Sequence, residues 1–250
     1  MNKSEKILKF LEKLAKNAEK IIKEHPKYSV FEKGVRDVVT ELDVEVEKYC
    51  IAEINANYPD IDIVSEELNE KTQIRKTCFF IDPIDGTKNF AHGLPLCGVQ
   101  LAYMENNKVQ AGVINLFELG YFITATREQG VLCNGKPVKI DTKIDIKHSL
   151  WLVEGMRDKW KVAYHLNENV RGVRSFGCTS MTYGMLAVKG VSGAVITFDV
   201  TTKPWDIVPG IFICECAGIK TLRLKNGWQV LAVNDKILRD AVKILSEKEK

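Results

Sequence analysis

The chain has 250 residues, 45% of them hydrophobic, and its 36 basic and 33 acidic residues leave a net charge of +3. A chain of this length can bury a substantial core as one large domain or two small ones. The near balance of charge argues against binding to a nucleic acid polymer, and the lack of about 18 consecutive apolar residues argues against a membrane span.

The amino terminus and the cysteines predict a cytoplasmic protein. The first segment, MNKSEKILKFLEKLAK, lacks the apolar core that a signal peptide needs. Seven cysteines are scattered without a disulfide spacing, and the pair Cys214 and Cys216 has neither a second pair nor nearby histidines to complete a zinc site. We therefore expect free thiols in a reducing cytosol.

Two helices are predicted at the start of the chain. Apolar residues at helical spacing predict the first over 4–25, and Pro26 ends it. The second is predicted over 41–57, with Thr40 as its N-cap and Asp43 in its first turn.

Strands dominate the middle of the chain. The predicted strands are 61–64, 78–81, 97–104, 108–115, 119–126 and 131–133. Asn106-Asn107 and Asn134-Gly135 are typical of hairpin turns. The segment GVLCNGKP is therefore a hairpin and not a phosphate-binding loop, because Pro137 stands where such a loop needs Ser or Thr.

Strands and helices alternate after about residue 145. The predicted strands there are 149–153, 172–175 and 193–198, and the predicted helices are 157–169, 179–189, 205–217 and 235–247. Such alternation predicts α/β layers, whereas the first half predicts two helices on an antiparallel sheet. We expect one continuous body with an α+β lobe, residues 1–145, that carries most metal ligands, and an α/β lobe, residues 146–250.

The segment IDPIDGT brings two acids to the end of an apolar strand. Pro83 and Gly86 bend the backbone there, so that Asp82 and Asp85 can converge. Two carboxylates held together repel each other unless a cation lies between them, and oxygen ligands suit Mg²⁺. The carbonyl of Ile84 could add another oxygen. The alternative is a polar turn, since Asp, Pro and Gly are common in turns.

Neighbouring residues support a phosphate and metal site. Thr87 is expected to cap a short helix over KNFAH, whose first N–H groups would seat a phosphate. Glu66 lies where an apolar strand stops, and Asp206 lies at the start of a predicted helix. Each alone could be a solvated loop residue or an aspartate that complements the helix dipole. We expect them to converge with the first two acids at one edge of the sheets.

These segments resemble the Mg²⁺-dependent, lithium-sensitive phosphatases of the inositol monophosphatase family. IVSEE, FIDPIDGTKNF and PWD occur in that family's order, with DVVTELD upstream and VRSFGCTS between them. The resemblance covers nearly the whole chain. It implies a layered α-β-α-β-α sandwich, a homodimer, and hydrolysis of a small phosphorylated metabolite by metal-activated water.

The resemblance also implies roles for individual residues. Two or three Mg²⁺ ions would be held by Glu66, Asp82, the Ile84 carbonyl, Asp85 and Asp206. Catalytic roles would fall on Glu66, Thr87 and Asp43, which would polarise the attacking water. Substrate contacts would come from Asp85, Gly86, Thr87, Gly177, Thr179, Asp199 and Asp206.

The sequence departs from the family pattern near its last acidic motif. Cys216 and Ile219 stand where the family usually has glutamate and glycine. Pro209 falls in the first turn of the helix predicted from residue 205, where proline is tolerated. These departures concern local packing and leave the metal ligands intact.

Inositol monophosphate is the default substrate that the resemblance implies. The alternatives are a sugar bisphosphate, such as fructose 1,6-bisphosphate, and a nucleotide 3′-phosphate, such as 3′-phosphoadenosine 5′-phosphate. Lys88 follows DPIDGT as it does in relatives that act on nucleotide phosphates. A regulatory binding module that has lost catalysis is the alternative of another class, although every expected ligand type is present.

Overall fold

The computed structural model describes residues 2–34, 37–155, 158–197 and 202–247. The helices are α1 (Lys3–Glu24), α2 (Glu41–Asn57), α3 (Thr87–Ala91), α4 (Lys159–Asn167), α5 (Thr179–Val188), α6 (Pro204–Cys216) and α7 (Asp235–Glu247). The strands are β1 (Val30–Gly34), β2 (Asp37–Thr40), β3 (Asp62–Ser65), β4 (Cys78–Asp85), β5 (Gly98–Glu105), β6 (Lys108–Leu116), β7 (Tyr121–Thr126), β8 (Gly130–Cys133), β9 (Lys136–Pro137), β10 (Leu150–Gly155), β11 (Gly172–Arg174), β12 (Gly193–Thr197), β13 (Lys220–Arg223) and β14 (Gln229–Ala232).

These elements form five alternating layers, as the resemblance implied. Helices α1 and α2 pack on one face of a seven-stranded sheet. Helices α5 and α6 contact strands of that sheet, and α5 also contacts β10 and β12 of a five-stranded sheet. Helices α4 and α7 complete the stack on the second sheet. The layered α-β-α-β-α sandwich is therefore confirmed.

The first two helices begin and end close to their predicted bounds. The apolar stripe of α1 is buried against the seven-stranded sheet, and Asn2 caps the helix in a capping box with Glu5. Thr40 caps α2, since its hydroxyl oxygen accepts from the N–H of Asp43 at 3.4 Å, and the N–H of Thr40 donates in return to Asp43 Oδ2 at 2.8 Å. Here local sequence signals and tertiary packing agree.

The seven-stranded sheet has the order β3-β4-β5-β6-β7-β8-β9. Only β3 and β4 are parallel among its described pairs, and the others are antiparallel. The two predicted hairpin turns are present, because Asn106, Asn107, Asn134 and Gly135 all have φ between 51° and 75°.

The five-stranded sheet has the order β11-β10-β12-β14-β13. Strand β10 is parallel to both β11 and β12, whereas β14 is antiparallel to its two neighbours. The β13-β14 hairpin was not predicted, although Asn226-Gly227 marks its turn and Gly227 has φ 91°. We also did not predict the β1-β2 hairpin, whose first strand is exposed along its length.

The two sheets share a hydrophobic core. Leu116 and Ile123 of the first sheet belong to the same buried cluster as Trp151 and Ile213. The division into lobes near residue 145 remains a proposal, since this cluster crosses it. Among the described residues, no helix combines the length and the apolar character that crossing a bilayer requires.

Helix α6 corrects the placement of Pro209. The helix begins at Pro204, so Pro209 is in its interior and not in its first turn. An interior proline removes one backbone hydrogen bond. Pro204 fits the first turn because its missing N–H would have no helical partner there. The N–H of Lys203 donates to Asp206 Oδ2 at 3.1 Å, which fixes Asp206 at the start of the helix.

Candidate active site

A β-bulge at the end of β4 aligns the two acids of the IDPIDGT segment. The strand continues through Pro83, beyond its predicted end. Asp82 lies opposite Gln100 and Asp85 opposite Gly98, so that two residues of β4 face one residue of β5. Residues three apart in a regular strand point to opposite faces, and the extra residue turns both acids to the same face. The predicted bend is thus present as a bulge.

Acids from three elements meet at this bulge. One carboxylate oxygen each from Asp82, Asp85 and Asp206 lies within 4.8 Å of the other two. Asp206 arrives in the first turn of α6. Strand β3 runs parallel to β4 and ends at Ser65, which places Glu66 at the same edge of the sheet. The fold therefore brings together side chains that are far apart in the sequence.

Burial and mutual repulsion disfavour the charged forms of these acids. Burial raises the pKa of Asp82 well above its usual range, and neighbouring carboxylates, Glu66 foremost, raise it further. Burial, followed by the charge of Asp206, raises the pKa of Glu66 in the same way. Burial and the charge of Asp85 raise the pKa of Asp206 from 3.8 to about 7. Lys33 and Lys203 only partly offset these effects, on Glu66 and Asp206 respectively.

The donor set fits a hard divalent cation. Asp82 is fully buried, and its Oδ1 has no hydrogen-bond partner among the described residues. Gln100 Nε2 lies 3.4 Å from its Oδ2. A buried carboxylate oxygen without a partner is costly, and oxygen ligands of this type are those of Mg²⁺ and Ca²⁺. A cation here would satisfy that oxygen and offset the repulsion.

Thr87 and Asp43 form a hydroxyl-carboxylate pair beside the acids. The Thr87 hydroxyl lies 3.2 Å from Asp43 Oδ1 and 2.9 Å from the carbonyl oxygen of Ile84. Burial raises the pKa of Asp43 to about 6, although hydrogen bonds from Thr40 and Thr87 lower it. Asp43 can therefore accept a proton near neutral pH.

The prediction that Thr87 caps α3 is wrong. Gly86 occupies the N-cap position and has no side chain with which to cap the helix. Gly86 has φ +85°, and a Cβ atom there would lie 2.8 Å from the carbonyl oxygen of Leu96 and 3.1 Å from Cys178 Sγ. Only glycine fits this close turn, so Thr87 becomes the first helical residue and its hydroxyl is free to contact Asp43.

The start of α5 holds Asp85. The N–H of Ser180 and the thiol of Cys178 donate to Asp85 Oδ2, and Thr179 Oγ1 lies 3.1 Å from the same oxygen. Thr179 Oγ1 is also 3.0 Å from the carbonyl oxygen of Asp206. Thr179, a predicted substrate residue, thus lies among the acids. Asp199, another predicted substrate residue, is outside the described residues.

Sequence reasoning missed Glu154, a buried acid that fixes the loop before α5. The N–H groups of Phe176 and Gly177 donate to its carboxylate, the latter at 3.1 Å, and Ser175 Oγ donates at 3.2 Å. Burial raises the pKa of Glu154, although these hydrogen bonds lower it. Gly177, predicted to contact substrate, is positioned through this carboxylate. Glu154 lies near the end of the apolar strand β10, as Glu66 lies directly after β3, and that signal could have identified it.

Glu47 was missed in the same way and fixes the loop that carries Glu66. Its carboxylate accepts hydrogen bonds from Ser65 Oγ at 2.6 Å and from the N–H groups of Glu67 and Leu68, both at 2.7 Å. Glu47 lies on the buried face of α2. The sequence signal for Glu47 is an acid on the apolar face of a predicted helix. Because charged side chains are rarely fully buried without partners, such an acid indicates a buried hydrogen-bonding role.

Comparisons with known proteins agree with this geometry. A model of the inositol monophosphatase family matches residues 3–248. A fructose-1,6-bisphosphatase/inositol-1-monophosphatase of Thermotoga maritima is 31% identical over 189 residues, which cover 74% of this chain and 71% of that protein. A histidinol-phosphatase of Chlorobaculum parvum is 32% identical over 194 residues, which cover 76% and 73% respectively. A solved inositol monophosphatase/NADP phosphatase, complexed with Mg²⁺ and phosphate, shares the fold with a TM-score of 0.84 at 18% identity over 98% of this chain and 96% of that one.

Proposed function

Because the chain belongs to the inositol monophosphatase family, and is therefore a phosphatase, we propose that it hydrolyses a small phosphate monoester with the help of Mg²⁺. The observation that carries this proposal is a group of three carboxylates that each place one oxygen within 4.8 Å of the others, one of them with a buried oxygen that no described residue contacts by a hydrogen bond. We propose further that the enzyme is a cytoplasmic homodimer and sensitive to lithium, as the resemblance implies.

The acids provide ligands for two or three cations. Glu66, Asp82, Asp85 and Asp206 would hold Mg²⁺ with their carboxylates, and Ile84 with its carbonyl oxygen. When bound, Mg²⁺ supplies positive charge that offsets the negative charge of the phosphate and makes water easier to deprotonate. Glu47 keeps Glu66 at the site, and the start of α5 keeps Asp85 there.

Thr87 and Asp43 would orient the attacking water and receive its proton. The Thr87 hydroxyl donates to Asp43 or to the Ile84 carbonyl, so its lone pairs can accept a hydrogen bond from water. The pKa of Asp43, about 6, suits it to take a proton through Thr87 near neutral pH. Glu66 would hold the same water from the other side. No protein nucleophile is needed for this step.

The remaining predicted residues would bind the substrate. Backbone N–H groups of Gly86 and Thr87 would contact the phosphate, together with the acids at its rim. Gly177, Thr179 and Asp199 would contact the alcohol portion of the ester.

Inositol monophosphate is the first candidate substrate, and fructose 1,6-bisphosphate and 3′-phosphoadenosine 5′-phosphate are the alternatives. Relatives named for inositol 1-phosphate, fructose 1,6-bisphosphate and histidinol phosphate support an ester of a small polar alcohol.

Phosphate release tests the proposal directly. We expect the purified protein to release phosphate from inositol 1-phosphate, fructose 1,6-bisphosphate or 3′-phosphoadenosine 5′-phosphate when Mg²⁺ is present. Chelation with EDTA should abolish release because the uncompensated carboxylates repel the phosphate, and added Mg²⁺ should restore it. A protein that binds Mg²⁺ but releases phosphate from none of these esters would instead be a metal-dependent binding module.

A further inference from the structure

Gln100 is a fully buried polar residue on strand β5, beside the acids. In the register of the sheet it lies directly opposite Asp82 of β4. Residues paired across two strands point to the same face, so the Gln100 side chain lies on the face that carries the acids. Its neighbours Val99 and Leu101 belong instead to the buried cluster that includes α1 and α2. The strand pairing therefore fixes where this amide points.

The side-chain amide of Gln100 contacts three other elements of the site. Its Nε2 lies 3.1 Å from Thr179 Oγ1, 3.4 Å from Asp82 Oδ2 and 3.4 Å from the backbone carbonyl oxygen of Asp206. Thr179 begins α5, Asp82 lies on β4 and Asp206 lies in the first turn of α6. A single neutral group thus connects the strand and the two helices that bring the acids together.

The orientation of this amide follows from its partners. The carbonyl oxygen of Asp206 and the charged carboxylate of Asp82 only accept hydrogen bonds, so the NH₂ group of Gln100 must face them. The amide keeps this orientation although its Oε1 is buried and has no hydrogen-bond partner among the residues that the structure describes. Donation toward the acids therefore outweighs the cost of an unpaired oxygen.

Thr179 extends the effect of the amide to Asp85. Because Nε2 only donates, the Thr179 hydroxyl accepts from it and turns its own hydrogen toward Asp85 Oδ2, 3.1 Å away, or toward the Asp206 carbonyl oxygen, 3.0 Å away. Two neutral donors thus contact two of the clustered carboxylates. A neutral donor orients a carboxylate without cancelling its charge, whereas lysine or arginine at position 100 would compete with a cation for the acids.

We propose that Gln100 is a positioning residue of the active site, which orients Asp82 directly, and Asp85 through Thr179, toward the proposed cation. This inference rests on the proposed function. Side chains that hydrogen-bond to metal ligands typically change the metal affinity by about 10-fold to 100-fold. Because Gln100 is fully buried, its effect should appear in metal binding and not in substrate binding.

Gln100→Met tests this role, because it keeps an unbranched side chain of similar length and removes both N–H donors. Calorimetry with Mn²⁺, without substrate, should give a dissociation constant about 10-fold to 100-fold higher than that of the wild type. The Mg²⁺ concentration for half-maximal phosphate release should rise by the same factor, and saturating Mg²⁺ should restore most of kcat. Gln229→Met is the matched control, since Gln229 is a buried glutamine on strand β14 of the other sheet, and the Mn²⁺ affinity should not change.

Thr179→Val tests the same chain of hydrogen bonds from its other end, even if Gln100→Met does not fold. Valine keeps the shape of threonine and lacks the hydroxyl, so this variant should also bind Mn²⁺ more weakly. In the double variant the loss of affinity should be smaller than the product of the two single losses, because the two residues act partly through one path. Losses that multiply would overturn the role of Thr179 in this path.

Two results would overturn the role of Gln100 and leave the proposed phosphatase in place. The first is a wild-type Mn²⁺ affinity in both Gln100→Met and Thr179→Val. The second is a fall in kcat that saturating Mg²⁺ does not restore, together with an unchanged Mn²⁺ affinity. If the wild type binds no Mn²⁺, the proposed metal dependence is refuted, and the role of Gln100 with it. Because calorimetry uses no substrate, it decides about Gln100 even if the wild type releases no phosphate.

Discussion

Asp82→Asn is expected to lower phosphatase activity by about 10²-fold to 10³-fold and to make the metal-free protein more stable. The variant removes a carboxylate ligand of the proposed cation, whose positive charge would contribute several kcal/mol to transition-state stabilisation. Without a cation the Asp82 charge destabilises the fold, because Asp82 is fully buried beside other acids and its Oδ1 has no hydrogen-bond partner in the described part of the chain. We expect a gain of about 0.5–2 kcal/mol in the free energy of unfolding, measured by urea denaturation in EDTA.

The opposite signs of the two effects make this variant informative. Asp60→Asn is the matched control, since Asp60 is exposed and lies outside the cluster, and we expect neither activity nor stability to change. If the Asp82→Asn protein keeps its activity, Asp82 is not a ligand of the proposed metal site. A loss of stability in EDTA would show that Asp82 serves the fold rather than the cation.

The stabilising effect of Mg²⁺ should be larger at pH 8 than at pH 5.5. Folding raises the pKa of Asp206 from 3.8 to about 7 and that of Asp43 to about 6, so between pH 4 and 7 the folded state binds more protons than the unfolded state. Stability in EDTA should therefore fall as the pH rises through this window. Mg²⁺ competes with these protons and is best bound when the acids are charged.

Thermal unfolding with and without Mg²⁺ measures this linkage. At a concentration 100 times its dissociation constant, Mg²⁺ should add about 2.7 kcal/mol, which corresponds to a rise in Tm of about 5–10 °C for a chain of this size at pH 8. Asp82→Asn should show a much smaller rise. Equal Mg²⁺ effects at both pH values, or a metal-free Tm that increases from pH 5.5 to 8, would contradict the proposed proton competition.

Local signals predicted much of the fold. The apolar stripe of α1 and the capping pair Thr40 and Asp43 act within a few residues of each other, so the sequence contains their cause. The Asn134-Gly135 turn between β8 and β9 is likewise determined by two neighbouring residues, both of which have positive φ. The β1-β2 hairpin gave no such signal because β1 is exposed throughout and shows no alternation of apolar and polar residues.

The sequence indicated the acids of the candidate site but not the residues that support them. Asp82 and Asp85 stand out because they follow the apolar run of β4, and Asp206 because it lies in the first turn of α6. Gln100 contacts Asp82 and Thr179 from the neighbouring strand, and only the pairing of β4 with β5 places it there. Sequence spacing does not encode such contacts.

Two predictions about helix starts were wrong. Thr87 was predicted to cap α3 from residue type alone, whereas the crowding around Gly86 by Leu96 and Cys178 decides where that helix begins. Pro209 is already the fifth residue of a helix that starts at residue 205, and because α6 begins at Pro204 the proline lies one position deeper in the helix interior.

The shared cation site is tested most directly by diffraction from crystals soaked in Mn²⁺, whose anomalous scattering identifies bound ions. We predict anomalous peaks between the carboxylates of Asp82, Asp85 and Asp206, with Glu66 beside them, and no such peaks in Asp82→Asn crystals. If no anomalous peak appears at these carboxylates in saturating Mn²⁺, a metal-dependent active site at this position is contradicted.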